Sequence, residues 1–489
     1  MASGFRSCYD NCIRGKESGG NSANTRLAEA TVVGRPRLYP IVRGSRPLGG
    51  QMSHDSGLHK TVTLRYAVAL YMSSVLGSGV LVLPGLAAKI AGPASLLAWI
   101  GLSVASYPLA YTFASLSARR PESGGVYSFA RESFGPSLAD GVGWLFILWY
   151  VTGAPVVTVI AASYLAFALP LNRTTIYLVA GLIILGTFLV NNRGITISGK
   201  VQLALNVSII ALLLSAVIAS ASIVRLENFT PFFPNGFPPI GTVAALIFWS
   251  YLGYENVSNV AGEFKNPKRD FHRSIILSVV LISTLYLAVA VATVGTKSYS
   301  AGGSVAPFAS ILSNALGVYG AIGTGILAVF IIFGTVNAYT TGMSRVVSAV
   351  AEGGGLPRRL GRIQSNTGAP ANALALLSGL SVVALVVSFF LNIDLETALL
   401  IPSGAAIIVY VVGSACGIRL LGEGRKRLFP WVSLIVSLAM LPFVGGLLLI
   451  SLAVVPIGLV YRRLLSRPSR SSSIRPASRT LSKQKGKPV

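Results

Sequence analysis

The sequence is short of charge. Asp, Glu, Lys and Arg make up 11% of its 489 residues, against about 25% in an ordinary soluble protein. A soluble domain must cover its surface with polar groups, and this chain lacks the material. Acid is scarcer still: 15 Asp and Glu stand against 40 Lys and Arg, a net charge of +25. Only three cysteines occur, Cys8, Cys12 and Cys416, too few for a disulfide framework. Cys8 and Cys12 have no further Cys or His at zinc-site spacing, so neither metal nor cofactor is expected. The three histidines, His54, His59 and His272, fall in polar stretches. The apolar segments therefore lack the nucleophile–base pairs or ligand sets of an intramembrane enzyme. No GxxxxGK[ST] phosphate loop appears, which removes an ATP-driven motor. Nucleic acid is a poor fit for the positive charge, because the basic residues flank apolar segments.

What the chain has is apolar length. Hydrophobic residues reach 53%, and the mean hydropathy is +0.68. Twelve apolar segments are legible, at about 64–91, 95–118, 137–169, 174–191, 197–223, 240–261, 274–296, 318–350, 372–391, 395–420, 430–446 and 448–464. About twenty such residues cross a bilayer as a helix. The expected fold is an all-α integral membrane protein of twelve transmembrane helices over residues 61–464. Residues 1–60 and 465–489 read as disordered basic tails, with Met52 as an alternative start.

Lys and Arg set the orientation. With the N-terminus in the cytoplasm, the cytoplasmic loops and helix ends carry 17 of them and the outside only Lys89, Arg173, Arg225 and Lys297. Both termini are then cytoplasmic, and a plasma-membrane location is expected. The basic loops and tails face anionic lipid headgroups.

Two segments contain poor helix interiors. The first holds Leu76-Gly77-Ser78-Gly79-Val80, followed by Pro84-Gly85; the sixth holds Trp249-Ser250-Tyr251-Leu252-Gly253-Tyr254-Glu255. A break frees amides and carbonyls that lipid cannot satisfy, so breaks are tolerated only where backbone faces protein or a cavity. Segments one and six are five apart, so a unit of five repeated once runs in the opposite sense. Interrupted helices at matching places in inverted halves point to the site of a secondary transporter. A half-helix N-terminus suits a carboxylate and freed carbonyls suit an ammonium. An α-amino acid carries both.

At these residues the chain resembles the amino acid–polyamine–organocation transporter superfamily over roughly residues 60–464. The resemblance rests on Gly77-Ser78-Gly79-Val80 with Pro84, on Ser123-Gly124-Gly125-Val126-Tyr127 followed by Phe134-Gly135, and on the run Phe248 to Glu255 continued by Glu263-Phe264-Lys265-Asn266-Pro267. The last run and the short final segments look most like the methionine/branched-chain amino acid exporters. The arginine/agmatine antiporters are near relatives.

The resemblance implies an inverted five-plus-five repeat with helices one and six broken, plus two peripheral helices. It also implies roles. Gly77, Ser78 and Gly79 would hold the substrate carboxylate. Carbonyls around Trp249 and Ser250 would hold the α-amine, Trp249 would cap the substrate, and Leu252 and Tyr339 would touch it. Ala154 and Pro155 fall where the antiporters use an amide, and Ala154 suits a small or apolar side chain better than a guanidinium. The fifth segment reads Asn206-Val207-Ser208-Ile209, without the lysine that some proton-coupled relatives place there.

Glu255 is the one acid well inside an apolar segment. A carboxylate there is costly and protonation relieves the cost, so it is the candidate for proton coupling. Thr335, Thr340 and Thr341 either offer hydroxyls to substrate or cap their own helix. Asp140 is expected to pair with a nearby arginine. The function expected is a proton-coupled secondary amino acid transporter, not an enzyme. It would work by alternating access on methionine, leucine, isoleucine and valine, as an exporter. Uptake by symport, amino acid/amine exchange, and an amino acid sensor without net transport use the same pocket and stay open.

Overall fold

Where no water reaches, each backbone amide must find its partner within its own helix or a closed barrel. The apolar runs accordingly form helices, and no strand occurs among the described residues. The computed structural model describes residues 64–119, 124–194, 199–254, 267–300, 303–422 and 424–465. Both tails, the alternative start at Met52, Glu255 and Glu263 lie outside them.

The α-helices run in order: α1 Leu64–Val75, α2 Ser78–Ala91, α3 Ser95–Arg119, α4 Val126–Phe134, α5 Pro136–Ala168, α6 Arg173–Asn192, α7 Gly199–Ser220, α8 Pro238–Phe248, α9 Pro267–Thr296, α10 Pro307–Glu352, α11 Ala371–Phe390, α12 Leu395–Leu420, α13 Leu428–Met440 and α14 Leu448–Leu465. Among the described residues, eight helical runs are long and apolar enough to cross a membrane. The runs Ser78–Arg119 and Leu428–Arg463 each join two of the segments read from the sequence. By contrast, α1 and α8 are cut short at the breaks, at 12 and 11 residues.

Those breaks fall where the glycines stand. The stretch 64–91 is two helices parted at Leu76 and Gly77. In the stretch 240–261, α8 gives way to a tight 3-10 turn, Trp249–Tyr251, and the chain is extended at Leu252 (φ −82°, ψ 154°). A third interruption sits inside α10 at Gly317 (φ 64°, ψ −151°), one residue before the expected start of the eighth segment. Helix α4 was not anticipated. Its nine residues include Arg131 and Glu132, so it lacks the apolar run by which the other helices announce themselves.

α5 is the central pillar. It packs along α10 for much of its length, and also on α12, α14, α6, α11 and α4. Most of its residues are buried, Tyr164 and Ile160 completely. α6 and α11 turn large apolar side chains outward instead, among them Leu178, Leu182, Val383 and Phe390. Such a face suits lipid better than water. Many serines and threonines within the helices bond their own preceding turn, as Thr112 does to Pro108 O at 2.7 Å and Ser403 to Leu399 O at 2.7 Å. That spares apolar surroundings an unpaired hydroxyl.

Candidate functional site

α1 ends and α2 begins within two residues. The Gly77 amide bonds Val75 O at 2.8 Å and the Leu76 amide bonds Met72 O at 2.7 Å. α2 then starts from an extended Gly77 (φ −111°, ψ −152°) with no side-chain cap. The first-turn amides of Ser78, Gly79 and Val80 thus have no helical carbonyl to bond. The positive end of the helix dipole lies at the same place.

The two breaks touch at Gly79. A methyl group there would lie 2.7 Å from Ser250 Oγ, 2.9 Å from Trp249 Cδ1 and 3.2 Å from Ser250 Cα. Only a residue without a side chain allows that approach. On the far side, Tyr286 of α9 ties both breaks together. Its hydroxyl lies 3.0 Å from Val75 O and 2.9 Å from Ser250 O. It donates its single proton between Ser250 O and Val75 O, the second of which also accepts the Gly77 amide. Tyr251 hydrogen-bonds Ser103 Oγ at 2.8 Å and packs its ring edge on Tyr286.

Beside the breaks lies a chamber of about 50 Å³, room for roughly four waters at about 10–15 Å³ each. Gly77, Ser78, Gly79, Ala154, Trp249, Leu252 and Tyr339, all read from the sequence as site residues, line it together. Ser250 does not. Its side chain is buried behind the turn, its Oγ makes no hydrogen bond among the described residues, and its carbonyl goes to Tyr286. Glu255 lies outside the described residues; Tyr254 before it is completely buried.

The remaining walls were not singled out in the sequence. They are Trp149, Tyr150, Gly153 and Val157 on α5, Val336 and Met343 on α10, and Val75. Trp149 meets Trp249 edge-on at 6.3 Å and Tyr339 at 6.4 Å, which makes an aromatic corner over the chamber. The tip of Trp249 rests on Gly153, where a methyl group would lie 2.7 Å from Cη2. No Asp, Glu, Lys or Arg is among the described lining residues. Among the threonines, Thr335 lines the chamber but bonds Ile331 O at 3.0 Å. Thr340 bonds Val336 O at 2.7 Å and pairs with Tyr150. Thr341 reaches Asn191 Oδ1 at 2.6 Å. Asp140, completely buried, pairs with Arg462 of α14 at 2.6 Å.

Membrane-crossing helices arranged around one small chamber, with a broken helix at its edge, define a multi-pass membrane protein. Comparison with known proteins narrows that class. The profile described as "Amino acid permease" matches residues 63–469. The uncharacterized amino acid permease YecA of Bacillus subtilis (strain 168) is 32% identical over 377 residues, covering 77% of this chain and 88% of that protein. The L-methionine/branched-chain amino acid exporter YjeH of Escherichia coli (strain K12) is 30% identical, covering 80% and 93%. The branched-chain amino acid permease BcaP of Bacillus subtilis is 28% identical, covering 60% and 67%. The chain belongs to the amino acid permease family. Its relatives are transporters rather than enzymes.

Proposed function

We propose that this protein is a secondary active transporter of neutral, apolar L-amino acids, methionine, leucine, isoleucine and valine, working by alternating access. The observation that carries the reading is the chemistry of the chamber. One end presents uncapped first-turn amides of α2, and the walls are Val75, Ala154, Val157, Val336, Met343, Leu252 and aromatic rings, without a charged side chain among the described residues. The amides suit a carboxylate, the carbonyl of Trp249 at the second break suits the ammonium, and the apolar walls suit an aliphatic side chain. A guanidinium would find no partner acid among the described lining residues.

The chamber is too small for the nine heavy atoms of leucine, so binding requires Trp249 or α5 to move. That requirement supports Trp249 as the cap, and it supports a cycle in which the site opens to one side at a time. Twelve spans in an inverted five-plus-five repeat, with both termini cytoplasmic in a plasma membrane, complete the reading. Export follows the similarity to the methionine/branched-chain exporter. Coupling to protons rests on Glu255.

The test is reconstitution into liposomes with labelled amino acids inside or outside, with and without a pH gradient. Each methylene added from alanine through valine to leucine is expected to tighten binding about fourfold, from ~0.8 kcal/mol per methylene. Glu255→Gln is expected to keep binding and flatten the pH dependence of flux. If neutral apolar amino acids neither move nor compete, the substrate assignment is wrong. Movement of cationic amino acids alone replaces it with an exchanger of basic amino acids.

A further inference from the structure

A second cavity, of about 190 Å³, lies behind the substrate chamber, between α5, α6, α11 and α12. It is larger than a 150 Å³ apolar cavity that holds a benzene. Its walls are chiefly aliphatic, with Val156, Val159, Leu385, Ile393 and Ile401 among them. It opens on the lipid-facing side: Val387 in its wall is 44% exposed, and Val159, Tyr177 and Ile401 are only half-buried. The flanking surface is the outward apolar face of α6 and α11.

The rim at the helix ends is different in kind. Tyr177 and Ser388 place their hydroxyls there, 3.4 Å apart. One turn before Tyr177 stands Arg173, the exposed first residue of α6. Its guanidinium lies against the rings of Tyr177 (5.4 Å) and Phe389 (4.8 Å). It donates to Phe389 O at 2.6 Å and to Asn392 Oδ1. Two of its five N–H donors are so engaged, and the group is held in a fixed plane at the first turn of α6, at one end of an apolar run long enough to cross a membrane. A fixed, exposed guanidinium is suited to a phosphate.

We propose that this cavity binds one anionic phospholipid of the surrounding bilayer, its acyl chain between α5 and α11 and its phosphate on Arg173. The lipid would act on transport through α5. That helix turns Gly153, Ala154 and Val157 to the substrate chamber, and Thr152, Pro155, Val156 and Val159 to the lipid cavity. The two ligands share one wall. Pro155 removes a backbone hydrogen bond from that wall and makes it easier to bend.

The test is native mass spectrometry of the purified full-length protein with dioleoyl phosphatidylglycerol or dioleoyl phosphatidylcholine. One phosphatidylglycerol is expected to stay bound under activation that strips the phosphatidylcholine. Ala384→Phe on α11 and Ala398→Phe on α12 fill the cavity independently, and each is expected to lose the lipid. Arg173→Gln is expected to hold phosphatidylglycerol no better than phosphatidylcholine. In proteoliposomes the wild-type rate is expected to change about fivefold or more between the two lipids, the low end of ordinary site-to-site coupling. The filled variants are expected to lose that dependence. A wild type that retains no lipid, or monodisperse filled variants that keep it, overturns the proposal. So does a wild-type dimer that filling converts to a monomer, because the face would then belong to a second copy. Should neither filled variant fold, the headgroup preference of the wild type and its loss in Arg173→Gln decide the matter. The mass measurement reads lipid directly, so it stands or falls separately from the transport assignment.

Discussion

Replacing Gly79 by alanine tests the contact between the two breaks. The added methyl group would sit 2.7 Å from Ser250 Oγ, 2.9 Å from Trp249 Cδ1 and 3.2 Å from Ser250 Cα, where ordinary contact begins near 3.4 Å. The shortfalls are 0.7, 0.5 and 0.2 Å. One of the three atoms is backbone, so rotating a side chain cannot relieve them all. The α2 end and the Trp249–Tyr251 turn must separate by about half an ångström. Overpacking of this kind costs roughly 1–3 kcal/mol, a factor of about 5–150 in the population of the conformation described here. A conformation with the two breaks apart feels no penalty. In proteoliposomes, Gly79→Ala is therefore expected to lower the initial rate or raise KM by about tenfold or more, with normal expression and a monodisperse profile. Gly101→Ala on α3, with nothing within 4 Å of the added methyl group, serves as the control and is expected to transport normally. Wild-type kinetics in Gly79→Ala would refute the claim that this approach sets the site.

Three further outcomes follow from the same structure. Tyr286→Phe removes the shared donor of Val75 O and Ser250 O; a buried carbonyl left unpaired costs about 1–3 kcal/mol, so a lowered melting temperature and weaker substrate binding are expected together. Asp140→Asn breaks the pair with Arg462, whose side chain keeps 27% of its exposure. The loss expected is about 3 kcal/mol, the low end for one partner of a buried pair, and Asp140→Asn with Arg462→Met is expected to recover part of it in a thermal-shift cycle. Asp394 caps α12, accepting from the Thr397 amide at 2.9 Å and hydroxyl at 2.7 Å. The amide of Thr397 above all holds its carboxyl below the usual carboxylate range. A depressed folded value means stability that is present above the unfolded value of about 3.9 and is lost as pH falls through the folded one. Asp394→Asn keeps a capping oxygen and is expected to remove that component of acid sensitivity from the melting curve measured across pH 5 to 2; an unchanged acid limb refutes it.

Local chemistry made much of the molecule legible in one dimension. Apolar runs of membrane length can only be helices, because lipid offers the backbone no other partner. Gly77-Ser78-Gly79 and the turn at Trp249 were visible as breaks, because glycine and serine are poor helix interiors. The structure parts the chain at the first and ends a helix at the second. Eight of the residues singled out, Thr335 among them, line one chamber. Ser250 was placed there for its carbonyl, which the packing instead gives to the Tyr286 hydroxyl.

What the sequence could not supply was direction. Helices buried on all sides, or facing lipid, are apolar all round, so they carry little of the two-faced periodicity that tells inside from outside. Trp149 and Gly153 look like any other apolar residues of α5 until Trp249 is set down against them. Tyr286 is one tyrosine among 18 until two severed carbonyls, 175 residues apart in the chain, meet at its hydroxyl. The residue alphabet determined that the chain lives in a membrane and where its helices fail. Packing alone decided which side chains close around those failures, since contacts between distant segments depend on how helices cross and not on what any one of them contains.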